Sequence, residues 1–272
     1  MRSLNKSDRS KFDSEYAMSP ADRIPAVRTL SQNDLIAALR EGLADFNAAP
    51  THAIFLSLIY PVVGLLLAHA TFSMNLLPLL FPAVAGFAIL GPFAAVGLCE
   101  ISRLRETGVA VTWRNALGVI HAKSILGILI LGAVLAALFG VWLYAANELY
   151  AAFFGDEVPA SAAALAHQIF GTAAGWKMML VGDLIGAVFA VAGFAISVIA
   201  FPMLIDRDTD AGTAALTSIR AVVANPVVMA EWGLIVAAAL VLGSIPLLIG
   251  LAVVMPVLGH ATWHLYRRVV AE

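Results

Sequence analysis

Apolar stretches close to twenty residues long recur along this chain, separated by short polar segments. A helix rising 1.5 Å per residue needs about twenty such residues to cross the roughly 30 Å of bilayer hydrocarbon. Inside lipid, every backbone amide and carbonyl must find its partner within the segment, which the helix provides. The stretches fall at Ala53 to Ala70, Leu76 to about Leu98, Ile125 to Leu149, Met178 to Ile205, Val227 to Leu242 and Ile245 to Leu265. They predict an all-α, polytopic membrane helical bundle of six transmembrane helices. Composition excludes an ordinary soluble protein: 61% of the 272 residues are hydrophobic, 12% are charged, and mean hydropathy is +0.90.

Basic residues set the expected orientation. Fifteen of the sixteen Lys and Arg fall in segments assigned to one side: the N-terminal region through Arg40, then Arg103, Arg105, Arg114, Lys123, Arg207, Arg220, Arg267 and Arg268. Only Lys177 falls opposite. The positive-inside tendency then puts both termini in the cytoplasm, and the expected location is the bacterial inner membrane. A formal net charge of -2 carries no basic field for nucleic acid, so membrane lipids and proteins of a membrane complex are the expected partners. Cys99 is the only cysteine and can form neither an internal disulfide nor a thiolate cluster.

Residues 1–30 read as a flexible cytoplasmic tail broken by Pro20 and Pro25, and residues 31–272 as the membrane domain. Ser31 three residues before Asp34 is a relative of the capping box, and Leu35, Ile36, Leu39, Leu43 and Phe46 follow at helical spacing. This pattern predicts a surface helix with Arg40, Glu41 and Asp45 in water.

Ala85-Gly86-Phe87-Ala88-Ile89 recurs as Ala192-Gly193-Phe194-Ala195-Ile196. Leu35 to Phe46, Trp113 to Ala122 and Ala214 to Val223 each precede a crossing, which gives three parallel units of one interfacial amphipathic helix and one hairpin. Pro61, Pro82, Pro92, Pro202 and Pro256 predict bends, while Gly86, Gly91, Gly127 and Gly132 predict close helix contacts. The longest connection opposite the basic side carries an Ala-rich short helix near Pro159 to Ala166.

Four polar positions are the functional candidates: Asp183, Glu231, His260 and His264. Asp183, inside the fourth span, fits proton or cation handling, or a hydrated or hydrogen-bonded structural carboxylate. Glu231 fits an ion path or a snorkelling interfacial acid. His260 and His264 share a helical face and fit metal binding if other ligands approach, or interfacial packing and hydrogen bonding. The segment Asp206-Arg207-Asp208-Thr209-Asp210 lacks the closing Glu of a calcium loop and reads as a hydrated turn whose Thr209 or Asp210 caps a helix. Trp113, Trp142, Trp176, Trp232 and Trp263, with Tyr144, Tyr150 and Tyr266, are expected as interfacial anchors. The chain shows no phosphate loop, serine elbow or HExxH motif, so no catalytic residue, metal or cofactor is assigned.

Arg23-Ile24-Pro25, Leu39 to Phe46, Ala85 to Ala88, Phe201-Pro202-Met203-Leu204-Ile205-Asp206-Arg207-Asp208 and Pro256 to Arg268 together resemble the bacterial DUF2189 integral-membrane family across about residues 23 to 269. The resemblance implies a bacterial multi-pass membrane protein and supplies no catalytic positions. A structural or accessory role in a membrane complex is the leading expectation. Transport of a small solute, ion or proton is the alternative, and a membrane-embedded enzyme stands third.

Overall fold

The structure is a computed structural model. It describes residues 24–48, 58, 62–66, 69, 76–109, 111–155, 159–246 and 248–271. Most of the first expected span, Ala53 to Ala70, and all of the tail before residue 24 lie outside these residues. We label the elements α1 (Gln32–Ala48), α2 (Leu77–Glu106), α3 (Trp113–Ala116), α4 (Ile125–Phe154), α5 (Ala162–Phe170), α6 (Ala173–Asp206), α7 (Ala211–Ala224), α8 (Pro226–Ser244) and α9 (Leu251–Val269).

Four of these, α2, α4, α6 and α8, are long and apolar enough to cross a membrane. No more than about a third of each apolar window is buried within the protein. Leu126, Leu129, Ile130 and Val134 on α4 are exposed, as are Leu180, Leu184, Val188 and Val191 on α6 and Val227, Leu234, Val241 and Leu242 on α8. In water a surface of this size would drive aggregation. In a bilayer it is the solvated surface, and association between the helices rests on packing and hydrogen bonds.

The helix ladder changes near two of the prolines expected to bend it, Pro92 and Pro202, whereas Pro256 lies inside the continuous helix α9 and Pro61 lies outside the described residues. In α2 a tighter 3-10 turn, Phe87–Leu90, precedes the helical turn Gly91–Ala94, and the Gly91 amide bonds to Ala88 O. Pro92 has no amide to continue the ladder to that carbonyl. In α6 the helix breaks at Val198 and Ile199 between Ala173–Ser197 and Ala200–Asp206. The Ile199 amide released there donates to Ser218 Oγ of α7 at 3.1 Å, which fixes α7 against the break. Val198 to Leu204 are all buried, and the Phe201 ring meets Phe93 of α2 with centroids 5.9 Å apart.

Both glycines of the repeated pentapeptide are contact points: Gly86 lies beneath Trp142 and Phe139 of α4, and Gly193 faces Ile89 of α2. Helical segments form at the three positions expected to precede crossings, as α1, as α3 followed by the 3-10 turn Leu117–His121, and as α7. The short helix opposite the basic end is α5, which begins slightly later than its alanine run.

The tryptophan expectation fails at Trp142, Trp232 and Trp263, which are buried together with Tyr266. Trp142 Nε1 donates to Pro82 O at 2.8 Å, so the indole ties α4 to α2. Trp176 and Tyr144 remain exposed.

The last expected span, Ile245 to Leu265, corresponds to a turn followed by α9, which begins at Leu251 and ends at Val269. Helix α9 is buried along much of its length and makes its most extensive pairing with α1. Residues 24–30, assigned by sequence to the tail, run extended beside the C-terminus. The Arg28 amide donates to Val269 O at 2.7 Å and the Ala271 amide to Ala26 O at 3.0 Å. The buried Asn225, at the corner between α7 and α8, accepts from the Leu30 amide at 2.6 Å and donates to Arg28 O at 3.1 Å.

Candidate functional site: a buried ionic cluster at the basic end

Helix α1 turns toward the protein a face that its hydrophobic pattern marks only in part. Its buried positions are Leu35, Ala38, Gly42, Asp45 and Phe46, whereas Ile36 and Leu43 are exposed. A Cβ on Gly42 would sit 2.5 Å from Ala261 N and 2.7 Å from Ala261 Cα, so this glycine is the point at which α1 reaches the α9 backbone. Close approach carries Asp45, one turn further on, into the protein rather than into water. The cap at the start of α1 forms as its sequence predicts, with Ser31 N and Oγ donating to Asp34 Oδ2 at 2.8 and 2.7 Å.

Three groups converge on Asp45, and a fourth joins through Ser102. Its Oδ2 accepts from Ser102 Oγ at 2.6 Å and lies 2.9 Å from His264 Nε2, while its Oδ1 accepts from Arg105 Nε at 2.9 Å. His260 Nδ1 stands 2.8 Å from Ser102 Oγ. With the hydroxyl proton given to Asp45, the ring nitrogen donates to the serine oxygen. Ser102 is therefore a relay between His260 and Asp45 and is not an activated nucleophile. Both Ser102 and His260 are buried from any substrate.

A second layer surrounds this core. His264 Nδ1 lies 3.1 Å from Glu41 Oε2, and Arg268 clasps the same carboxylate through two nitrogens at 2.8 and 2.9 Å. Arg267 reaches Glu106 at 3.3 Å and Asp206 at 3.5 Å, and Tyr266 donates to Asp206 Oδ2 at 2.6 Å. Arg207 donates to Ala271 O at 2.6 Å. The paired carboxylates and cations thus join α1, α2, α6 and α9 at the end where the basic residues gather.

Burial pushes the Asp45 carboxyl up. Its hydrogen bonds from His264, Ser102 and Arg105, with the charge of His264, outweigh burial and hold it at about 2. A folded-state value below the ordinary 3.8 stabilises the protein above that pH, and the contribution is lost as pH falls through about 2. The detergent-solubilised chain is expected to lose melting temperature between about pH 4 and pH 2, with Asp45→Asn flattening that limb of the profile. Equal slopes in the two proteins would remove Asp45 as the cause.

Of the four sequence candidates, the structure brings His260 and His264 into one cluster. Glu231 lies elsewhere on this end, accepting from Gln32 Nε2 at 3.1 Å. Asp183 is exposed on α6, away from all three. Sequence reading placed Glu41 and Asp45 in water and did not single out Ser102 or Arg105. Glu41 is indeed exposed but paired, whereas Asp45 is buried because the small Ala38 and Gly42 direct α1 onto α9. The acidic segment after α6 is consumed locally. Asp206 is held by Tyr266 and Arg267, and Asp210 accepts the Gly212 and Thr213 amides at 2.8 and 3.0 Å as the cap of α7. Among the described residues, no group of three or more His, Cys, Asp or Glu side chains is arranged to hold a metal ion.

The body formed by α2, α4 and α6, ending in the acidic turn that meets α9, is also the part of the chain with a family counterpart. Residues 80–206 match the family described as Predicted integral membrane protein (DUF2189). The match supports membership of the chain in that family. It covers somewhat less than half the residues and leaves out α1, α7, α8 and α9. Arg105 and Ser102 thus belong to the DUF2189 segment, whereas Asp45, His260 and His264 reach it from outside. No curated protein and no solved structure matches the chain. Together, the DUF2189 match and the long apolar helices identify a multi-pass membrane protein.

Proposed function

We propose that the chain is a structural or accessory subunit of a membrane complex, acting by binding and positioning. The membrane domain comprises residues 31–272 after a tail of residues 1–30. It crosses six times as three parallel hairpin units, in the bacterial inner membrane, with both termini and the ionic cluster on the cytoplasmic side. The observation that carries this reading is the use of charge: Asp45, Arg105, His264, Glu41 and Arg268 are spent on one another, clamping α1, α2 and α9 together. A clamp of buried pairs favours one arrangement of the helices.

Gentle extraction followed by native co-purification tests the reading. A reproducible complex is the expected result, and recovery only as an isolated chain from native membranes would overturn it. In proteoliposomes the purified chain is expected to carry no ion or small solute. Flux that disappears in Asp183→Asn or Glu231→Gln would favour the transporter alternative. Cysteines placed at Arg105 and Asp206 should react with impermeant thiol reagents only from the cytoplasmic side; labelling from outside would reverse the orientation.

A further inference from the structure

The turn before α4 and the turn after α6 face each other across a cleft of about 200 Å³. Ser124 Oγ donates to Arg207 O at 2.9 Å and accepts the Thr209 amide at 3.2 Å, so the two walls are tied together. Lys123, Arg207, Asp206 and Asp208 line the cleft, two charges of each sign, beside the buried Leu204. Two of these charges are already committed. Asp206 accepts from Tyr266 Oη and faces Arg267, while Arg207 donates to Tyr266 Oη at 3.2 Å and to Ala271 O at 2.6 Å. Lys123 and Asp208 are exposed and make no hydrogen bond or ion pair with any described residue, each other included. The cleft therefore presents one free cation and one free carboxylate, held apart.

Its level in the molecule is where water gives way to lipid. Leu126, three residues after Lys123, is 67% exposed, and Ile130 and Val134 continue that exposed stripe along α4 at helical spacing. These residues open the apolar run with which α4 crosses the membrane. A molecule that meets both free charges at this level needs a negative and a positive group of its own, close together and attached to an apolar body.

We propose that the cleft binds the head group of a zwitterionic phospholipid with a primary ammonium, phosphatidylethanolamine, its phosphate on Lys123, its ammonium on Asp208 and its acyl chains entering the bilayer beside α4. The charges of the lining sum to zero, which suits a neutral head group. An anionic head group without an ammonium would meet Lys123 but be repelled by Asp208, which it leaves unpaired. A primary ammonium donates hydrogen bonds to a carboxylate, whereas the quaternary ammonium of phosphatidylcholine has no N–H to give. Aromatic rings are the usual means of holding a quaternary group, and none of the described lining residues is aromatic. The inference does not depend on the accessory role.

Native mass spectrometry of the full chain, released from vesicles of equal parts phosphatidylethanolamine, phosphatidylcholine and phosphatidylglycerol, tests it. The lipid retained most firmly is expected to be phosphatidylethanolamine. Lys123→Gln should lower its retention by about fivefold, the scale of one charge near a membrane surface. Asp208→Asn should lower it similarly and shift the preference toward phosphatidylglycerol, because the cleft then carries a net positive charge. Both side chains are exposed, so the melting temperature of either variant should match the wild type. Lys177→Gln removes an exposed cation at the other end of α6 and should leave retention unchanged. Soluble glycerophosphoethanolamine, the head group without its chains, should not displace the bound lipid. Equal retention of the three lipids, unaltered retention in either Lys123→Gln or Asp208→Asn, an equal loss in Lys177→Gln, or displacement by the soluble head group at matched concentration would overturn the proposal.

Discussion

Asp45→Leu is expected to destabilise the protein by about 3 to 5 kcal/mol, the range for removing one partner of a buried ion pair. The substitution strips Arg105 Nε, His264 Nε2 and Ser102 Oγ of a common acceptor while leaving them enclosed. The loss comes from the stranded polar groups more than from the missing attraction. Replacing the set together, as Asp45→Leu, Arg105→Met and His264→Leu, should therefore recover most of the stability. Thermal unfolding in detergent, with tryptophan emission as the readout, measures both proteins. If Asp45→Leu melts with the wild type, or the triple replacement is worse than the single one, the cluster is not the clamp described here.

Gly42→Ala is the second large effect, with an expected destabilisation of about 1 to 3 kcal/mol from overpacking. The added methyl meets the Ala261 backbone, which cannot swing away as a flexible side chain does. Helix α1 must shift outward, and the Asp45 to His264 contact lengthens with it. The effects of Gly42→Ala and Asp45→Leu should consequently be less than additive, because both act on the same pairing. Gly140→Ala is the control. A Cβ there meets nothing within 4 Å, and alanine favours a helix over glycine, so stability should be unchanged or slightly raised. Equal melting of Gly42→Ala and the wild type would mean that α1 does not rest on Ala261.

The sequence made the long elements legible because hydropathy over about twenty residues reports partition into lipid directly. Segments α4, α6 and α8 lie where their apolar runs predict, α4 running on to Phe154 and α6 and α8 extended at both ends. Rotation about the helix axis was not legible in the same way. The apolar stripe of α1 marks its packing face only in part: Leu35, Leu39 and Phe46 pack inward while Ile36 and Leu43 are exposed, and the closest approach is made at Ala38 and Gly42. Sequence likewise placed Trp142 at an interface, whereas its indole is buried and donates to Pro82 O. For the site, the helical spacing of His260 and His264 was visible. Their partners Asp45 and Ser102 lie far along the chain, where no local pattern links them. The capping pair Ser31 and Asp34 was legible because both members lie within one turn.

The pairing of residues 26–45 with residues 225–271 has a consequence for biogenesis. Residues 28 and 30 wait for Val269 and Asn225, Gly42 for Ala261, and Asp45 for His264. Each of these partners is synthesised after the middle helices have already been handed to the bilayer. Until α9 is made, Asp45 has only Ser102 and Arg105 of α2 to pair with, and His264 completes the cluster last. A quality-control protease that senses an unfinished N-terminal helix would meet this protein in that interval.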